Sequence, residues 1–388
     1  MNWVVLILGI FVYGCNADFL QDVAKGNAEF TANVYKKVIQ TESRNVVLSG
    51  LSAEIILSLL ANGAKGDTQK QLLTVLNLPS SQQARDEAFN QITTTLNINT
   101  DELKCLSANK IYPAKKFTIS QSFEDLAVNV YKSDVQRLNY NNAQQAADTI
   151  NSWVEQQTNN KIKNLVDPSQ LNSATVLVLV NALYLLAQWK HPFEKHNSMP
   201  RLFYTSETAS ISIDTMYTET FAKYTHCTKL KAKFLELDFK GGDFSMVFVL
   251  PDKKNGLSAV ERNVDKYMVP MKYQNAYVAI TLPKFKTNSK TDFTSILQQL
   301  GATTMFTNQA DLSGISDGGG LKVSFVVQEA FIDVNENGVE AAAATAVGVQ
   351  LTSVREPPSI QFKADHPFFF YIQVKSSRLI LFAGRFKG

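Results

Sequence analysis

The stretch ATVLVLVNALYLL, Ala174 to Leu186, is apolar at almost every position and rich in β-branched side chains. It is too short to cross a bilayer as a helix, which takes roughly 20 residues. Side chains alternate along a strand, so apolar residues at odd and even positions alike require cover on both faces. The run reads as a strand at the centre of a sheet. A chain built around it must supply neighbouring strands and a layer above and below.

The surrounding sequence supplies both. Phe30, Val34 and Val38 share one helical face, NVVLS (45–49) reads as a strand, and Ser52 and Asp67 are candidate caps for the helices AEIILSLLANG and TQKQLLTVLNL. Ala146, Ile150, Trp153 and Val154 mark another helix, ending near NKIKNLV (160–166). Later segments are mostly strands: FSMVFVLP (244–251), AYVAITLPKF (276–285), LKVSFVVQEAFIDV (321–334), FFFYIQV (368–374) and RLILFAGRF (378–386). In TKLKAKFLELDF (228–239), Leu230, Ala232 and Phe234 alternate with Lys229, Lys231 and Lys233 before the phase reverses. A β-bulge at Phe234–Leu235 would keep the apolar set on one side. DFTSILQQLGA (292–302) is a helix ending at Gly301. The expected fold class is α+β, with helices mostly early and sheets mostly late, and no repeat or linker divides the chain.

Of the 388 residues, 45% are hydrophobic and 19% charged, and the net charge is +3. That charge is too mild for a nucleic-acid binder, which concentrates bases on one face. Residues 1–17 read as a secretory leader: Trp3 to Gly14 is an apolar core, and Cys15 and Ala17 are small residues placed for cleavage after Ala17. The expected mature domain is 18–388, secreted and not membrane-anchored. Cys15 would leave with the leader, and Cys105 and Cys227 are expected as thiols rather than a bridge.

Catalytic motifs are absent. The four histidines are His191, His196, His226 and His366, and there is no H-E-x-x-H, C-x-x-C, P-loop or G-x-S-x-G. His191 and His196, five apart, would lie on different helical faces, and the neighbours His226 and Cys227 point apart on a strand. GISDGGG (314–320) lacks a phosphate loop's strand-then-helix setting. No metal site and no enzymatic site emerge.

VNENGVEAAAATAVGVQLTSVREPPS, Val334 to Ser359, is different in kind. At period two, one face carries Val339, Ala341, Ala343, Thr345, Val347, Val349 and Leu351, and the other is small or polar. A strand with that pattern can bury one side. Pro357 and Pro358 stop any ladder beyond it. By itself the segment reads first as a mobile surface loop, and only second as a loop able to become a strand.

Its surroundings decide. FIDVNENGVEAAAATAV resembles the hinge of inhibitory serpins, with hinge residues Glu336, Gly338, Val339, Glu340, Ala341, Ala342, Ala343 and Ala344. FKADHPFFFYI (362–372) is similar to the serpin C-terminal signature. VLVNALYLLAQWKHPFE resembles the central-sheet strand with its asparagine, Asn181, and tryptophan, Trp189; NVVLSGLSAEIILSLLANGAKGDT resembles the strand and helix beneath the sheet opening, with Ser49 and Ser52. Two positions depart from the family pattern: Gly50 replaces a usual proline, and Gln328 stands where many members have histidine. Secreted insect haemolymph serpins are the most similar subgroup.

The resemblance implies the serpin fold: eight or nine helices on three β-sheets, with an exposed reactive-centre loop at about 336–358. It implies an inhibitor, not an enzyme, that acts as a suicide substrate of an extracellular serine protease in innate immunity, forming a covalent acyl complex as a monomer. Counting seventeen residues from Glu336 places the reactive bond at Thr352–Ser353, with Leu351 and Arg355 as alternative acyl-forming residues. Ser49, Ser52, Asn181, Trp189 and Gln328 would border the sheet opening. No cofactor is required. A heparin-like polyanion is an option, with Lys229, Lys231 and Lys233 as candidates, because the stretch equivalent to the family's basic helix offers only Arg85. The alternative is a non-inhibitory serpin that serves as a carrier or storage protein.

Overall fold

In the structure, a computed structural model, the apolar run becomes a twelve-residue strand, Leu177–Gln188, buried at nearly every position. The structure describes residues 4–339 and 357–388, with side chains from Phe19 onward. The α-helices are α1 (Val4–Thr41), α2 (Gly50–Gly63), α3 (Gly66–Leu76), α4 (Gln82–Thr95), α5 (Gln121–Asn129), α6 (Ala143–Gln157), α7 (Leu257–Arg262) and α8 (Phe293–Leu300). The strands are β1 (Val46–Leu48), β2 (Ile98–Asn99), β3 (Leu103–Pro113), β4 (Ser133–Val135), β5 (Leu177–Gln188), β6 (Met199–Tyr204), β7 (Ser210–Cys227), β8 (Ala232–Asp238), β9 (Phe244–Pro251), β10 (Gln274–Pro283), β11 (Phe285–Asp292), β12 (Phe325–Asn335), β13 (Gly338–Val339), β14 (Ile360–Lys363), β15 (Phe368–Val374) and β16 (Ile380–Phe386).

β5 lies inside a seven-stranded sheet of order β11-β12-β13-β5-β3-β2, with β4 on β3. The buried helix α2 packs on one face of this sheet and α6 on the other. That double cover is what the apolar run requires. The remaining strands follow the order β1-β16-β15-β9-β8-β7-β10-β14, with β6 on β7. Two of the three expected sheets join in this ladder because β7, 18 residues long, runs through both.

Local chemistry sets the element ends. Asp292 caps α8 through the Thr294 N–H, and Gly301 ends it at φ 111°. Four expectations fail. Ser49, not Ser52, caps α2: the Ser49 hydroxyl accepts from the Ser52 N–H, and Ser52 sits in the first turn. Asp67 is likewise inside α3, whose cap position is Lys65. β8 has no bulge: its register runs unbroken against β7 and β9, and Phe234 and Leu235 are buried on opposite faces because both sides of this strand are covered. The helix expected to end near residues 160–166 stops at Gln157. Cys105 and Cys227 are both free thiols, and burial pushes Cys105 up to about 12. Among the described residues, no helix is long and apolar enough to cross a membrane, and no His/Cys/Asp/Glu group is set to hold a metal.

Candidate functional site: a fork in the central sheet

β5 and β12 run parallel and pair directly from Phe325↔Val178 to Ala330↔Leu183. Beyond that point they part. β13 enters between them from the open end, with Val339 opposite both Val334 and Ala187 and Gly338 opposite both Asn335 and Gln188. The sheet is therefore a fork holding two residues, Gly338 and Val339, of the segment expected to be the hinge. Val339 is 1% exposed. Gly338 has φ 150°, and a Cβ there would strike the Ala187 carbonyl oxygen, so only glycine admits the chain at this point.

Where the two strands are still paired, a polar cluster holds them together. Gln328, Asn181 and Asn109 lie side by side on β12, β5 and β3. The Gln328 amide accepts from the Ser49 N–H at 2.9 Å, and donates to the Ser49 carbonyl at 2.8 Å and to Asn181 Oδ1 at 2.5 Å. Asn181 Nδ2 donates to Ser52 Oγ and Asn109 Oδ1. All five residues are buried, so these bonds satisfy groups that would otherwise be costly. A strand entering between β5 and β12 must break the Gln328–Asn181 bond. Of the two departures from the family pattern, glutamine fills its place in this cluster without a titratable group. Gly50 begins α2 where α1 comes close, and a Cβ there would strike the Thr31 hydroxyl, with Thr31 Cα at 3.0 Å.

At the open end, the hinge is anchored to its surroundings. The Trp189 indole donates to the Asn335 carbonyl at 2.9 Å, its N–H to Asn337 at 2.8 Å, and the Phe193 N–H to Glu336 at 2.9 Å. Trp189 stacks on Phe239, with centroids 4.7 Å apart. The Glu336 carboxylate meets Lys284 Nζ at 3.2 Å. Burial pushes the Glu336 carboxyl up, but its own backbone N–H and Lys284 outweigh that and hold it below the usual glutamate value. A lowered carboxyl stabilises the fold above its ordinary value, and that stability is lost as pH falls through the lowered one. Glu336→Gln should therefore melt below the parent at about pH 7, and the gap should close by about pH 3. Melting temperatures of both proteins across that range check this, and a gap that persists in acid refutes it.

The structure gathers Ser49, Ser52, Asn181 and Gln328 in one cluster and Trp189, Glu336, Gly338 and Val339 in another. Glu340, Ala341, Ala342, Ala343, Ala344, Leu351, Thr352, Ser353 and Arg355 lie outside the described residues. Sequence reasoning missed Asn109 and Lys284. An amide within the mostly buried β3, and a lysine just after the apolar β10, were the available signals.

The lysine face is corrected. Lys229 and Lys231 sit in the turn before β8, and Lys231 has φ 53°; of the three, Lys233 is the one on the strand. The turn redirects the chain, so the alternation does not form one face. Lys229 and Lys231 instead line a crevice with Lys253, Arg262 and Lys266, where Asp252 is the acid. Arg85 is 1% exposed and donates to Asn62 and to the Pro79 and Ser80 carbonyls, so it is not a surface base.

The profile of the serpin (serine protease inhibitor) family matches residues 25–387. Antichymotrypsin-2 of Bombyx mori is 35% identical over 373 residues, covering 95% of this chain and 98% of that one. Serpin48 of Tenebrio molitor, described as a highly specific serpin, superposes with a TM-score of 0.88 at 39% identity, covering 95% of this chain and 98% of that one. Human thyroxine-binding globulin, solved with its hormone, superposes with a TM-score of 0.86 at 25% identity, covering 95% of this chain and 99% of that one. With the hinge seated in the fork and the match running nearly end to end, the chain belongs to the serpin family.

Proposed function

We propose that the protein inhibits an extracellular serine protease as a suicide substrate. The observation that carries this reading is β13: the hinge already occupies the mouth of a fork whose register can be continued. Stepping inward from Val339, Ala341 would fall between Ile332 and Leu185, and Thr345 between Gln328 and Asn181. A threonine hydroxyl donates and accepts, so Thr345 can rejoin the two amides that its entry separates.

The protease serine Oγ forms an ester with the Thr352 carbonyl carbon as the Thr352–Ser353 C–N bond breaks. Ser353 leaves as the new amino terminus, taking its proton from the protease's histidine. The freed hinge then zips into the sheet, and about fourteen residues at ~3.3 Å each carry the tethered protease on the order of 45 Å. Pulling at the ester distorts the oxyanion hole before water can complete deacylation. Antichymotrypsin-2 and Antitrypsin of Bombyx mori, whose names denote inhibition of chymotrypsin and trypsin, support the class of target. The leader expected at 1–17 and the similarity to serpins of Bombyx mori, Manduca sexta and Tenebrio molitor extend the proposal to secretion, action as a monomer and a role in innate immunity. The five bases around the Lys229–Lys231 crevice extend the proposal to acceleration by a heparin-like polyanion.

The test is to mix the mature form with trypsin-, chymotrypsin- and elastase-like enzymes, with and without heparin. An SDS-stable adduct is expected with at least one, together with a mass placing the cut at Thr352–Ser353 and a salt-sensitive rate gain with heparin. Cleavage without any adduct overturns inhibition. It would favour the second reading, a carrier or storage protein, for which thyroxine-binding globulin is the precedent in this fold.

A further inference from the structure

The segment after α6 adopts an unusual backbone. Asn159, Asn160 and Asn164 all have positive φ, at 50°, 61° and 57°. Asparagine tolerates this conformation better than other non-glycine residues. The turns fold the chain back on α6, where the Asn151 amide donates to the Val166 carbonyl at 2.9 Å and accepts from the Val166 N–H at 2.8 Å. Ile162, Leu165 and Val166 are buried beneath the segment and fix it in place.

This segment reaches the fork. Asn159 Nδ2 donates to the Tyr184 hydroxyl at 3.4 Å, and Lys161 Nζ lies 5.6 Å from the Phe331 ring centroid. Tyr184 is on β5 and Phe331 on β12, each one residue beyond the last direct pair, Ala330↔Leu183. They are the first positions at which the two strands have parted.

The two contacts belong to different halves of the sheet. α6 rides on the β3–β5 half: Trp153 packs edge-on to Tyr112 at 6.3 Å, and Lys110 lies 5.3 Å from the Trp153 ring. Asn159 ties the segment to that same half. Lys161 reaches across to β12. Phe331 also receives Lys286 at 5.8 Å, but Lys286 is on β11 and travels with β12.

We infer that Asn159 and Lys161 form a strap across the fork, restraining the separation of β5 and β12 and so setting how readily the hinge enters. The inference rests on the insertion reading above. Admitting a strand adds up to about 4.8 Å between β5 and β12, the full amount where they are still paired and less where they have begun to part. Lys161 then leaves the ~6 Å range over which a ring attracts a cation. The strap therefore stabilises the uninserted molecule and not the inserted one. Asn159 and Lys161 are positioning residues, acting through Tyr184 and Phe331.

Three variants test it: Lys161→Ala, Lys161→Arg and Asn159→Gly, the last keeping the backbone conformation while removing the amide. Each is held at a mildly elevated temperature, and conversion of the intact protein to a heat-resistant form is followed. Lys161→Ala and Asn159→Gly should convert about two- to fivefold faster than the parent, the scale of losing one exposed contact. Lys161→Arg, which keeps a cation over the ring, should convert at the parent's rate. After cleavage of the reactive loop, all variants should melt with the cleaved parent, because the strap no longer spans the sheet. Lys161→Ala converting at the parent's rate overturns the strap. So does an equal loss of stability in the intact and cleaved forms, which marks an ordinary packing contact. Failure of the parent itself to gain stability on cleavage overturns the insertion reading instead.

Discussion

Ala341→Arg is expected to abolish the covalent complex and leave a protein that proteases simply cut. The seated hinge fixes the register: Val339 opposes Val334 and Ala187, so two residues further in, position 341 opposes Ile332 and Leu185. Those neighbours are 1% and 2% exposed, on the face that packs against α2. A guanidinium there would be buried without a partner, at a cost of several kcal/mol. At about 1.4 kcal/mol per tenfold, three such units slow insertion roughly a thousandfold. Deacylation, unaffected, then wins. Ala341→Val adds volume without charge and should retain the complex. The fraction of protease in the SDS-stable band measures both variants. Full complex formation by Ala341→Arg would mean that residue 341 never enters the sheet.

The second large effect is thermal. Cutting the loop between Gln350 and Arg355 should raise the melting temperature, the reverse of what nicking does to most folds. The cut frees the hinge to replace the six direct β5–β12 pairs with two ladders, one on each side of a new strand. It also buries Val347 and Val349, each worth about 1.5–3 kcal/mol. A net gain of even about 5 kcal/mol shifts Tm by roughly 6 °C, given an unfolding entropy of about 0.8 kcal/mol/K for about 370 residues. Scanning calorimetry on intact and cleaved protein reads this directly, and an unchanged Tm means that no energy is stored in the uncut loop.

Several features were open to sequence reasoning because they depend on local pattern. The doubly buried β5 follows from unbroken hydrophobicity and the end of α8 from Gly301, whereas the hinge was read from the resemblance of its surroundings to serpins and not from its own period-two pattern. The errors are also physical. Ser52 looked like a cap because serine before an apolar helix usually is one, yet the Ser49 hydroxyl reached the N–H groups first. The bulge in β8 was inferred on the assumption that only one face was covered. The polar cluster of Gln328, Asn181, Asn109, Ser49 and Ser52 draws on four separate elements, and no spacing along the chain announces it.

The order of residues alone determined that there is a central strand and that a small-residue arm follows another strand late in the chain. These follow from side-chain periodicity and composition, which need no knowledge of what packs where. Only the folded molecule decided that β5 and β12 part at Ala330, that Glu336 is held by Lys284, and that Asn159 and Lys161 span the gap. Each of these depends on distances between residues far apart in the chain, which tertiary packing alone sets.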